Sequence, residues 1–295
     1  MSAVDSTLAT PRETPPRRSS SLGRYVPLVP PLTILLLLFA MPMGMMVGLS
    51  FQSQGGAFTL EYYGRFFSDD LVLEGLLRTI VMSALVAVSV TALAYPLAYY
   101  LARSESRWRS VVFALVIAPE LAGVVLRTYG WLIILEDHGF INNWLISLGV
   151  VSEPLRLSKN MFGVVIGLTH VLLPFGVLSL LPSLQGIDRN IEKSAQILGA
   201  SRLSILRHIV IPLSLPGIMS AFFIAFTLSA SAYATPALIG GAGFHVMATM
   251  IYEQLLVLVD WPFAAVMANI LLIIVLGIAF ASSRIESRLH AKMNV

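Results

Sequence analysis

The stretch 191–212, IEKSAQILGASRLSILRHIVIP, is polar and basic, yet it lies between two long apolar runs. Ile187, Ile191, Ala195 and Leu198 recur at helical spacing, and Asp188 or Asn190 is placed to cap that helix. Gly199 supplies a left-handed stop. Ser201 is a cap for a second helix, with Leu203, Leu206, Ile209 and Val210 on one face and Arg202 and Arg207 elsewhere. Pro212 is the expected stop of that helix. A helix–glycine–helix unit is stiff enough to transmit a push, so its chemistry is recognition of another macromolecule rather than catalysis. Periodicity alone equally allows a basic amphipathic helix lying on a membrane.

A second set of residues is suited to handling a polar solute. Glu120 and Arg127 are the formal charges well inside an apolar run, and a charge there costs at least about 2.5–3.5 kcal/mol. Seven residues is two turns, so a continuous helix puts both on nearly one face. They are either pathway residues, with Glu120 drawing in a cation, or a structural ion pair. Tyr129 and Trp131 offer a cation–π box or interfacial packing. Ser231 and Tyr233 either line a pathway or serve helix packing. His170 either lines the pathway or donates a packing hydrogen bond. The histidines His138, His170, His208, His245 and His290 have no metal spacing, and no nucleophile–base set is visible. Neither a metal site nor an enzyme is expected.

The elements that position these residues follow from composition. The chain is 57% hydrophobic and 12% charged, against about 25% charged in soluble domains. A net charge of +3 is too small to suggest a nucleic-acid partner, and with no cysteine there is no disulfide or thiolate site. A bilayer core of ~30 Å needs roughly 20 apolar residues per helix. Six segments meet that need: Val26 to Leu49, Thr79 to Ala102, Ser110 to Leu135, Met161 to Leu181, one within Leu213 to Ala237, and Trp261 to Ala281. The fold class is therefore all-α, with six transmembrane helices.

Fourteen Lys and Arg lie in the N-terminal tail, the loops after the second and fourth spans, and the C-terminus, against three on the other side. The positive-inside rule then puts both termini and the 187–212 loop in the cytoplasm. Residues 1–24, rich in Ser, Pro and Arg, form a disordered tail, and 286–295 a second cytoplasmic tail around a 25–285 transmembrane region. Outside, Tyr62, Tyr63, Phe66 and Phe67 suit an interfacial belt, and Asn142 to Leu148 a short surface helix. Pro236, Gly240 and Gly241 break the ATPALIGG segment, a candidate outer gate.

The 191–212 stretch resembles the coupling loop of bacterial ABC importer permeases, whose pattern is E-A-A-x-x-x-G, nine residues, then I-x-L-P. Ala195, Gly199, Ile209 and Pro212 match; Ser194 and Ile211 are mild changes; Lys193 stands at the acidic position, with Glu192 one residue earlier. The segments 126–145, 173–191, 234–241 and 260–272 resemble the spermidine/putrescine-type permeases, a group that includes carriers of opines and aminophosphonates. Arg127 falls on an arginine of that group's R-T-Y segment.

The resemblance implies the type I ABC importer permease (MetI-like) fold in the bacterial inner membrane. It implies a partner permease (similar chain or second copy), two cytoplasmic ATPase subunits and a periplasmic substrate-binding protein. Glu192, Lys193, Ala195, Gly199, Ala200, Ser201, Ile209 and Pro212 would then form the ATPase-coupling surface. ATP and Mg would be used by the partner, since the chain has no G-x-x-x-x-G-K-[ST] loop and needs no cofactor of its own. Closure of the two ATPases would push the permeases from inward-facing to outward-facing. The expected cargo is a small amine-bearing metabolite, polyamine first. The readings from other classes are a secondary transporter or channel working alone, which an inverted repeat would favour, and a membrane scaffold.

Overall fold

The computed structural model describes residues 27, 29–53 and 55–293, with side chains of 282, 283 and 285–293 left aside. The expected 1–24 tail lies outside the described residues. The chain divides into two units, Met1–Met46 and Val47–Val295. In the first, an apolar helix α1 (Val29–Leu49, running into the second unit) carries Pro42 in its interior.

The second unit is helical throughout its described elements. In order these are α2 (Glu61–Ser68), α3 (Asp70–Arg103), α4 (Trp108–Ile117) with a 3-10 turn Ala118–Leu121, α5 (Val124–Leu135), α6 (Phe140–Ser147) and α7 (Met161–Gly186). They continue as α8 (Arg189–Ile197), α9 (Arg202–Ile205), a π turn Leu206–Val210, α10 (Ile211–Leu213) and α11 (Leu215–Ala230). The last are α12 (Ala234–Ile239), α13 (Met247–Tyr252) with a π turn Glu253–Val257, and α14 (Trp261–Met293). Among the described residues, four helices are long and apolar enough to cross a membrane, and six spans result if each of two bent pairs counts as one.

Helices α3, α7 and α11 pack against one another as the central layer. Met82, Val86 and Val90 of α3 meet Val164, Leu168 and Leu172 of α7 and Phe226 of α11 in one core. Small residues set how near the helices come. A Cβ on Gly176 would lie 2.6 Å from Val90 Cγ1, and one on Gly217 2.5 Å from Ser183 Cβ. Close backbone approach of this kind is how helices associate where lipid removes the hydrophobic drive between them. Away from the core, Leu77, Val81, Leu85 and Val88 form an exposed apolar stripe on α3.

Two expected spans are not single helices. The third is broken by 100° between Trp108–Leu121 and Val124–Ser147, with Pro119 in the first positions of the 3-10 turn and Gly123 opening α5. Glu120 and Arg127 therefore do not share one helix face, correcting that expectation. The fifth, expected within Leu213 to Ala237, is divided into α11 and α12, and the segment before it, Arg202–Leu213, meets α11 at a 67° bend. The bend sits at Ser214, not at Pro212, which lies inside α10. A proline lacks an N–H but accepts a helical φ, so it is tolerated in the first turn of a helical segment.

The interfacial belt is also corrected. Phe66 is fully buried, Tyr62 packs on Phe263, and Tyr63 hydrogen-bonds Ser50 Oγ at 3.0 Å, so Phe67 alone of the four stays well exposed. The short helix expected at Asn142 to Leu148 is α6. Backbone α14 continues as helix to Met293, through most of the expected C-terminal tail.

Candidate functional site

The α8–α9 unit is built from local signals. Asp188 caps α8 by accepting from Asn190 N–H. The helix ends in a six-to-one closure: Ala200 N–H donates to Ala195 O at 3.0 Å and Gly199 N–H to Gln196 O at 3.0 Å. That closure requires the left-handed backbone of Gly199, at φ +88°. Ser201 then caps α9, its Oγ accepting from Ser204 N–H. Ala195, Ala200, Leu206 and Ile209 pack against a core of Ala98, Leu101, Leu184, Ile205 and Val210. The inward face differs from the expected one. Ile187, Ile205 and Val210 are buried, whereas Leu198 is 87% exposed, Leu203 73%, and Ile191 half-exposed.

Long-range polar bonds hold this unit to the central layer. Arg103, at the end of α3, sends Nε and Nη2 to Glu192 Oε1 at 2.7 and 2.6 Å. Its Nη1 donates to Leu184 O at 2.9 Å and its Nη2 to Ile187 O at 3.4 Å. Tyr99 Oη donates to Glu192 Oε2 at 3.4 Å. Arg189 pairs with Glu105 at 2.7 Å and donates to Ala102 O. At the bend, Ser214 Oγ donates to Ile211 O and shares a 3.0 Å hydrogen bond with Tyr95 Oη. Lys193 is exposed.

The residues expected in a pathway fall into separate groups. Arg127 Nη1 and Nη2 bind the two oxygens of Glu120 at 2.9 and 3.3 Å across the break, and the Arg127 side chain is only 9% exposed. Trp131 lines a groove of about 400 Å³ with Ser89, Phe162, Thr169 and His170. It meets His170 edge-on at 5.6 Å. Thr169 Oγ1 and His170 Nδ1 are buried with no hydrogen-bond partner, so His170 Nδ1 makes no packing bond. Tyr233 stacks on Tyr252 at 4.5 Å with both rings partly exposed. Ser231 returns its hydroxyl to Thr227 O and Leu228 O. Tyr129 is half-exposed. The ATPALIGG segment forms α12, pinned to α5 by a buried Thr128–Thr235 hydroxyl pair at 3.1 Å.

No family model matches the chain. The spermidine/putrescine transport permease PotB of Escherichia coli K12 is 34% identical over 250 residues, spanning 83% of this chain and 90% of that protein. PotB of Salmonella typhimurium SL1344 is equally similar, at 34% over 83% of this chain and 86% of the relative. The chain belongs to the spermidine/putrescine-type family of ABC importer permeases. Solved structures give the same fold for the permease. A bacterial importer of the polysaccharide alginate matches with a TM-score of 0.73, at 18% identity over 90% of this chain and 97% of that one. The MetNI methionine transporter matches at 0.57, with 18% identity over 74% and 96%.

Arg103, Tyr99, Tyr95 and Ser214 tie the α8–α9 unit and the bend at Ser214 to α3 and were not evident from sequence. Their partners lie 89, 93 and 119 residues away along the chain. Asn142 was missed likewise. Its buried amide binds Leu155 N–H and O and Glu136 O, fastening the loop after α6.

The Glu120–Arg127 pair yields a first prediction. Glu120→Ala leaves a mostly buried guanidinium without its counter-charge, which typically costs about 3–5 kcal/mol. The expected result is a lower melting temperature of the permease in detergent. A changed KM for uptake with an unchanged melting temperature would instead make Glu120 a substrate ligand.

Proposed function

We propose that this permease forms half of the translocation pathway of a binding-protein-dependent importer of spermidine or putrescine. A second permease, a copy or a similar chain, supplies the other half in the bacterial inner membrane. Two ATPase subunits, which hydrolyse ATP with Mg, receive the α8–α9 unit on the cytoplasmic side, where both termini also lie. A periplasmic receptor delivers the polyamine to the outer loops. The carrying observation is the 34% identity to PotB over 250 residues.

The geometry supports a mechanical reading. A unit closed by Gly199, capped at both helices and fastened through Arg103 and Tyr95 moves as a body with α3 and the bend at Ser214. A push on α8 is thereby passed to α11 rather than absorbed in a loop. For the cargo, the Glu120 carboxylate is already neutralised by Arg127. The aromatic faces of Trp131, Tyr129 and Tyr233, with the hydroxyl of Ser231, are the candidate contacts for ammonium groups. Cation–π contacts are each worth about 0.5–2 kcal/mol, weak enough for release.

Liposomes reconstituted with the permease pair, the ATPase and the receptor should take up labelled spermidine or putrescine only with ATP and the receptor present. Uptake by this chain without any ATPase would reject the importer reading.

A further inference from the structure

Apart from Asp188, which caps α8, and the Arg189–Glu105 pair, the exposed charges of the α8–α9 unit are of one sign. Glu192, the acid beside the motif's acidic position, has turned inward; its side chain is 12% exposed and Arg103 and Tyr99 occupy its oxygens. Asp188 is engaged at the start of α8, and Arg189 is matched by Glu105. That leaves Lys193, Arg202 and Arg207, all exposed and in no ion pair among the described residues. The same unit exposes an apolar tip of Ile197, 86% exposed, and Leu198. Between the two helices lies a cleft of about 460 Å³ lined by Tyr99, Gln196, Arg202 and Leu203, with Glu192 also in its wall.

We propose that the ATPase groove receiving this unit is apolar at its base and presents a carboxylate to Lys193. The contact is thus the reverse in sign of the acidic one that the coupling-loop pattern provides. This rests on the importer reading above and adds to it the charge of the partner. Glu192 cannot serve as the outward acid without giving up Arg103, because both groups are mostly buried and bound to each other. A unit that projects leucine- and isoleucine-sized side chains at its tip, beside a cleft with an acid in its wall, fits a protein groove better than a sheet of anionic headgroups. Charge complementarity of this kind selects the partner more than it raises affinity. Lys193 is therefore a specificity residue that restricts this permease to ATPases with the matching acid.

The test uses the assembled importer. Carbodiimide treatment, which joins an amine and a carboxylate in direct contact, should give a peptide linking Lys193 to an Asp or Glu of the ATPase; Lys193→Gln should abolish it. Lys193→Glu should weaken ATPase retention by about tenfold or more, while Lys193→Arg retains it. Lys193 is exposed, so neither variant should change the melting temperature of the permease alone. Failure of the wild-type chain to hold any ATPase overturns the importer reading itself. ATPase held normally by Lys193→Glu, with no Lys193 cross-link, overturns the charge pairing alone. Protection of Lys193 from acetylation by phosphatidylglycerol vesicles, but not by the ATPase, assigns the face to lipid and also overturns it.

Discussion

Arg103→Ala is expected to uncouple the importer, with uptake per ATP falling by about tenfold or more. The arginine joins three segments: its own α3, the carbonyl end of α7 at Leu184 and Ile187, and Glu192 of α8. Both members of the ion pair are little exposed, at 13% and 12%. Removing one partner of such a pair strands the other and typically costs about 3–5 kcal/mol. The guanidinium also sits where the α7 carbonyls concentrate partial negative charge, so its loss weakens a helix end too. Arg103→Lys should fall in between, because an ammonium cannot serve a carboxylate and two carbonyls with one planar fork. The double variant Arg103→Met with Glu192→Met should recover much of the melting temperature, since it strands no charge. Measurements on the purified importer decide the matter: equal melting temperatures and equal uptake per ATP for wild type and Arg103→Ala would show that the clamp transmits nothing.

Gly199→Val is expected to be nearly as damaging, for a different reason. A Cβ at Gly199 meets no atom within 4 Å, so crowding is not the problem. The problem is φ, at +88°, which a β-branched residue avoids at a cost of about 1–3 kcal/mol. The chain would relax by opening the closure from Ala200 to Ala195, turning α9 away from α8. Gly199→Asn separates backbone strain from any side-chain effect, because asparagine tolerates the left-handed region. ATPase retention and coupled hydrolysis should be low for Gly199→Val and near wild type for Gly199→Asn. Equal loss in both variants would mean that the side chain itself blocks the docking surface.

The cap at Asp188 or Asn190, the cap at Ser201, the turn at Gly199 and the short helix near Asn142 to Leu148 were legible because each is decided within a few residues. The site was legible in part. Glu120 and Arg127 stood out because charge in an apolar run is costly, but their pairing across a broken helix needed the turn at Pro119. The inward face of α8 was misread, with Leu198 assigned to the core and Glu192 to the outward coupling surface, whereas Glu192 turns in to Arg103. Apolar residues on that unit serve two surfaces, one against α3 and α7 and one outward, and periodicity cannot tell them apart.

The amino-acid sequence alone determined the class of this protein, its apolar segments, its charge asymmetry and the local closure of the α8–α9 unit. All of these depend on composition or on hydrogen bonds spanning a few residues. The tertiary structure decided which arginine holds Glu192, where the third and fifth spans break, and which side of α8 faces outward. In a membrane a helix is apolar on its lipid-facing and protein-facing sides alike, so hydropathy carries little record of which face packs. Only the close approach of α3, α7 and α11 at Gly176 and Gly217, and the buried polar bonds from Arg103 and Tyr95, fix that choice.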